Sequence, residues 1–212
     1  MISAGNLAAF ALVCLGMVLT PGPNMIYLLS RSIMQGRLAG FISLLGVILG
    51  FVFYMLCAAF GLTALLLAVP LAYEVLQWAG AAYLLWLAWS AVRPGARSVL
   101  QPRQDLGMDG PRKLFAMGLV TNLLNPKIAV LYLSLLPQFI DPAEGNVLLQ
   151  SVALGVTQIA ISFTINLMIV FTAGSVAAWF ATRPGWLKLQ RWAMAGVLTA
   201  LAVRLALERR AA

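Results

Sequence analysis

Residues 19–24 read Leu-Thr-Pro-Gly-Pro-Asn (LTPGPN). They fall late in an apolar run, 6–30, long enough to cross a bilayer as a helix. Proline has no amide N–H and its ring clashes with the carbonyl four residues back. Pro21 also disfavours helix at Thr20. The run is therefore a helix that carries its own break.

Working outward, 62% of the residues are hydrophobic and only 9% charged, with a strongly positive mean hydropathy. That leaves too little polar surface to cover a soluble domain. Apolar runs of spanning length recur at 6–30, 39–68, 70–92, 114–138, 147–180 and 192–208. The first lacks the basic start and small-residue cleavage site of a signal peptide, so it is expected to stay as a membrane helix. The expectation is an all-α integral membrane protein with six transmembrane helices.

The net charge of +8 is unevenly placed. Arg31 and Arg37 lie between runs one and two. Arg93, Arg97, Arg103, Arg112 and Lys113 lie between three and four, and Arg183, Lys188 and Arg191 between five and six. The alternate loops hold Glu74, Asp141 and Glu144 and no basic residue. This is the positive-inside pattern of the cell inner membrane, with basic loops cytoplasmic and both termini outside; Arg209 and Arg210 dissent. The same distribution argues against a nucleic-acid partner. No histidine and no phosphate-binding GxxxxGK sequence occur, and no cofactor or metal is expected.

The chain divides into 1–92, a polar basic linker 93–113, and 114–212. Three spans on each side of the linker make the halves enter the membrane from opposite sides, as inverted three-helix repeats do. The second half carries its own interruption, Thr121 to Lys127 (TNLLNPK), in its first span. Asn125 suits a helix N-cap and Pro126 the first helical position; Gly22 and Pro23 play the same parts in the first half. Pro21 is ten residues, about 15 Å of helix, from Arg31; Asn125 is twelve, about 18 Å, from Lys113. Both breaks lie near the bilayer midplane, where transporters with broken helices bind substrate.

This pattern resembles the lysine-exporter family, which includes the homoserine and threonine exporters. The resemblance rests on Thr-Pro-Gly-Pro at the end of the first span and on the glycine-spaced stretch 36–50. It rests also on Asn125 to Lys127, Pro137 to Phe139, the span count and the central basic loop. It implies a multi-pass inner-membrane exporter of amino acids or close derivatives, driven by the proton gradient. No carboxylate is expected inside a span, which favours a neutral or zwitterionic substrate over a cation. A membrane thiol-disulfide protein and a metal-ion transporter are the alternatives. The depths of Cys14 and Cys57, both read as buried small apolar residues, disfavour the first, and the lack of intramembrane carboxylate or histidine the second.

The candidate substrate-binding residues are Thr20, Pro21, Gly22, Pro23, Asn24, Asn122, Asn125, Pro126 and Lys127. Gln158, Ser162 and Asn166 join them. With Ser151 and Gly155 these three form a stripe at helical spacing that should face the bundle interior. The stripe either bonds helix to helix or lines the substrate path. Gly40, Ser43, Gly50, Tyr54, Cys57 and Gly61 share a packing face of the second span. Lys127 lies fourteen residues from both Lys113 and Asp141, about 21 Å from either end. It is either an anchor for a substrate carboxylate or a structural lysine on carbonyls freed by the first break, and it is one candidate proton carrier. The expected partners are an amino acid, protons and the lipid bilayer; a homo-oligomer is compatible with this plan.

The charge pattern makes one direct prediction. Ser98→Cys, with Cys14 and Cys57 replaced by serine, should resist a membrane-impermeant thiol reagent in intact cells and react after permeabilisation. Ready labelling in intact cells would reverse the orientation.

Overall fold

In a computed structural model, residues 2–20, 22–68 and 108–181 are described throughout, with scattered positions between 78 and 93 and between 185 and 207. Most of the expected third and sixth spans and of the linker lies outside the described residues, as does Pro21. The described residues are helical, without strands.

Helix α1 (Ala4–Leu19) starts at Ser3, whose Oγ accepts from the Asn6 amide, and ends at an extended Thr20. Helix α2 (Pro23–Gln35) follows with Gly22 as N-cap and Pro23 in the first turn, as the sequence implies. The two are bent by 52°. Gly36, at φ +87, turns the chain straight into α3 (Arg37–Ala68). This φ is one that glycine alone adopts at no steric cost.

The second half repeats the device. Helix α4 (Pro111–Leu123) stops at the break and α5 (Pro126–Val130) restarts from an Asn125 N-cap, whose side chain accepts from the Lys127 amide at 3.1 Å. This pair too is bent by 52°. Beyond α5 the helix widens into a π turn, Leu131–Leu135, and then tightens into a 3₁₀ turn, Leu136–Phe139. Pro137 explains the change: it offers no N–H to Leu133 and its ring displaces that carbonyl from the α ladder. After a short turn at Pro142–Glu144, α6 (Val147–Ala181) runs long and unbroken.

Helices α3 and α6 are each long and apolar enough to cross a membrane, and the two bent pairs bring the candidate spans among the described residues to four. Helix α3 lies along both α4 and α6. Its glycines set the approach to α4: a Cβ at Gly46 would strike the Phe115 carbonyl, and one at Gly118 the Ser43 carbonyl. Gly50 leaves room for Asn122, and Tyr54 donates to the Leu123 carbonyl at 2.8 Å. The expected packing face of α3 therefore holds from Gly40 to Tyr54. It fails at Cys57 and Gly61, which are exposed, because α4 ends at its break and no described residue covers the face beyond. Phe10, Leu28, Val47, Leu131, Tyr132 and Leu154 are central to the apolar core between the two halves.

Gly46→Ala and Gly118→Ala should each lower the melting temperature in detergent. Overpacking against backbone costs about 1–3 kcal/mol and outweighs the gain in helix propensity. Gly5→Ala meets open space and should be neutral or stabilising. Melting curves that rank the three alike would contradict this account of the α3–α4 contact.

Candidate functional site

Each break frees carbonyls, and each is satisfied by a side chain from elsewhere. Pro21 has no N–H to give Met17, and the bend takes the Asn24 amide away from Thr20. Both carbonyls accept from the Lys127 ammonium, at 2.8 Å from Met17 O and 2.6 Å from Thr20 O. At the second break the Lys127 amide turns to Asn125, and Tyr54 of α3 supplies the bond that Leu123 O lacks.

The sequence leaves two readings open for Lys127, an anchor for a substrate carboxylate or a structural lysine on freed carbonyls. Lys127 is 6% exposed and sits on the C-terminal end of α1, where the helix dipole favours a cation. The reading of a structural lysine on carbonyls of the first break thus has a geometric basis. Two of its three N–H bonds are accounted for, and the ammonium also packs on Gly22, where a Cβ would lie 3.1 Å from Nζ.

The two breaks and α6 enclose a cavity of about 30 Å³. Gly22, Asn24, Asn125, Lys127, Gln158, Ser162 and Asn166 all line it. Of the other candidates, Thr20 contributes its carbonyl from a buried position and Pro23 is exposed on the first turn of α2. Pro126 occupies the first turn of α5. Asn122 is fully buried but packs against Gly50 rather than lining the cavity. The polar stripe of α6 faces inward over its whole length, with Ser151, Gly155, Gln158, Ser162 and Asn166 all buried. It both bonds and lines. Tyr132, stacked on Tyr54, donates to Gln158 Oε1 at 2.6 Å; Gln158 Nε2 donates to Ser162 Oγ at 2.7 Å; Asn166 Nδ2 donates to the Ser162 carbonyl at 2.7 Å.

Some polar atoms at the breaks have no such partner. Asn24 Oδ1, Asn125 Nδ2 and both amide atoms of Asn122 are buried without a hydrogen bond. A buried polar atom left unpaired costs about 1–3 kcal/mol, so a cluster of them beside a cavity has the character of a site made for a polar ligand. Among the described residues no carboxylate lines the cavity, and much of the rest of its wall is apolar, with Met17, Met25, Phe51, Ile128 and Leu131. Sequence reasoning missed this wall, because such residues are equally at home facing lipid. At about 30 Å³ the cavity has room for about one water molecule, and an organic ligand could enter it only if the helices parted.

A second polar cluster lies one to three turns along α2 from the cavity. Arg31, placed by the sequence in a basic loop, is instead 2% exposed and forms an ion pair with Asp109 at 2.7 Å. Lys113 reaches the other oxygen of the same carboxylate at 2.6 Å. The Lys113 hydrogen bond, helped by the charge of Arg31, holds the Asp109 carboxyl below its ordinary range, so it is ionised at neutral pH. Gln35 accepts from Arg31 at 2.9 Å and donates to the Asp109 carbonyl at 3.1 Å. The acid-to-lysine spacing of four was visible in the sequence, but Arg31 as its second partner was not.

Residues 15–209 match the protein family described as LysE type translocator. The chain belongs to that family. A homoserine/homoserine lactone efflux protein of Salmonella typhimurium is 33% identical over 81% of this chain and 82% of its own length. A leucine efflux protein of an Enterobacter species is 29% identical over 89% of each. A Pseudomonas aeruginosa protein, described only as an uncharacterized membrane protein, is 31% identical over 78% of each. No solved structure matches. This translocator is thus a multi-pass membrane protein and a transporter, not an enzyme, and the resemblance read from Thr20 to Pro23 and Asn125 to Lys127 holds.

Proposed function

We infer that this translocator exports neutral or zwitterionic amino acids, or close derivatives, across the cytoplasmic membrane by proton antiport. It binds them between the two helix breaks. The efflux relatives support amino-acid export as the activity. Proton coupling and the inner-membrane location follow from what the family resemblance implies, and the cytoplasmic basic loops from the positive-inside rule. Six spans in two inverted repeats, 1–92 and 114–212, joined by the 93–113 linker, complete the reading; the matched bends and matched proline caps support it.

The observation that carries the proposal is the company Lys127 keeps. A buried ammonium with one N–H unaccounted for shares a cavity with the unpartnered amide atoms Asn24 Oδ1 and Asn125 Nδ2, and among the described residues no carboxylate lines that cavity. A substrate carboxylate can take the third N–H of Lys127 and the Asn125 Nδ2. The substrate ammonium can donate to Asn24 Oδ1, and Gln158, Ser162 and Asn166 read further polar groups. The apolar wall accepts an aliphatic side chain. A cationic side chain would find no opposite charge, which agrees with relatives named for leucine and homoserine efflux.

A second reading has its own observation. The two carbonyl bonds of Lys127 fit a lysine that only staples the breaks together. Titration calorimetry on the purified protein separates the two, using leucine and its decarboxylated amine as probes. On the proposal, leucine binds and the amine binds at least about tenfold more weakly, as expected for loss of a charge-assisted bond. Lys127→Met should insert but bind neither, and Lys127→Arg should bind poorly because a planar fork fits a point-charge site badly. Equal affinity for the amine, or wild-type leucine binding by Lys127→Met, would leave the staple as the whole role of the lysine.

A further inference from the structure

The site just proposed is closed on its two sides by contacts of opposite character. Toward the chain's outer turns, α1 meets the second half through Phe10 and Phe139, edge to face at 5.1 Å between ring centres. Toward the basic end the contact is polar. Asn24, Tyr27, Arg31 and Gln35 recur at spacings of three, four and four, and so form one stripe down α2 from the cavity to its last turn. Every lower member of that stripe is bonded to the start of α4 or the segment just before it. Tyr27 donates to the Leu114 carbonyl at 2.8 Å, Arg31 pairs with Asp109, and Gln35 donates to the Asp109 carbonyl. The Arg31 guanidinium lies over the Tyr27 ring, 5.8 Å from its centre, and Ser43 of α3 donates to the Tyr27 hydroxyl at 3.1 Å.

These bonds join the two half-helices that run from the breaks to the basic end, one from each half of the chain. They have the properties a gate needs. Side chains carry them, so they can part without breaking a helix. The central ion pair is largely shielded from solvent, with side-chain exposures of 3% and 10%, so removing one partner costs more than it would at a surface. Its partner Lys113 is largely exposed and keeps Asp109 ionised when the pair opens.

We propose that Arg31, Gln35 and Asp109 form a charged gate on the basic-loop side of the cavity, and that parting α2 from α4 there opens the substrate site to that side. The proposal rests on the reading of the breaks as the substrate site, but its test involves no substrate. Cys14 is buried and lines the cavity, so it reports solvent entry, while the exposed Cys57 is removed as Cys57→Ser. The rate at which a small membrane-impermeant methanethiosulfonate modifies Cys14 is measured with reagent on either face, in inside-out vesicles and in intact cells.

Arg31→Gln leaves no unpaired buried charge and should fold; it should speed Cys14 labelling from the basic-loop side by about tenfold or more, as loss of a buried ion pair permits. Asp109→Asn, which takes the carboxylate from the buried Arg31, should speed labelling from the same side by at least as much. Asp109→Glu keeps the carboxylate and should label within about threefold of the parent, as should Lys113→Gln, which removes only a surface partner. Unchanged labelling in both neutral variants would overturn the gate. So would acceleration from the opposite face, or acceleration by Asp109→Glu equal to that by Asp109→Asn. Leucine binding at Lys127, measured separately, stands or falls independently of these rates.

Discussion

The structure turns on one contact, the Lys127 ammonium against the carbonyl oxygens of Met17 and Thr20. A helix broken inside a membrane exposes carbonyls that have no water to bond, and each must find a partner within the protein. The first half frees them with its two prolines and Gly22. The second half supplies the answering cation from the first turn of its own restarted helix. A lysine at the N-terminal end of α5 is badly placed with respect to that helix and well placed with respect to the C-terminal end of α1. Neither break is satisfied by its own half of the chain: Tyr54 of α3 answers Leu123 as Lys127 answers α1.

This cross-bonding puts the two breaks side by side and leaves a small polar chamber between them. Gly22, Asn24 and Asn125 of the breaks line it, and these two asparagines and Asn122 retain unpaired amide atoms that a compact protein interior does not ordinarily tolerate. Helix α6 closes the third wall with a hydrogen-bonded stripe held in place by Tyr132. The π turn that carries Tyr132 follows from Pro137, so a proline near one end of the half-helix shapes a wall of the chamber. The chamber is too small for an amino acid as it stands, so on the proposed function α2 and α4, or α1 and the second half, must move apart for substrate to enter.

Much of this was legible in the sequence, because proline and asparagine act through local backbone chemistry. A missing N–H at 21, 23, 126 and 137 and an N-cap at 125 say where helices stop and start whatever surrounds them. The α6 stripe was legible for a similar reason: five small or polar residues at helical spacing can face only inward in a membrane. The partner of Lys127 was harder to see, since backbone carbonyls have no letter in the sequence, and their availability depends on the bend between α1 and α2. Arg31 was misplaced because charge statistics assign arginines near span ends to loops. Its burial depends on Asp109, on the far side of the third span and most of the linker. Cys57 was misplaced because helical spacing defines a face without saying how far the neighbouring helix extends.

The central claim is that the lysine and the first break satisfy each other, and a double-mutant cycle in thermal stability tests it most directly. Replacing Pro21 and Pro23 with alanine lets the helix run through, so that the amide at 21 pairs with Met17 O and the Asn24 amide with Thr20 O in place of Lys127. In the parent protein Lys127→Met should lower the melting temperature, since it strands the Met17 and Thr20 carbonyls. In the alanine-substituted protein the same change should raise it, since there it removes a buried ammonium that has lost its acceptors. Equal and additive effects of Lys127→Met in the two backgrounds would contradict the account.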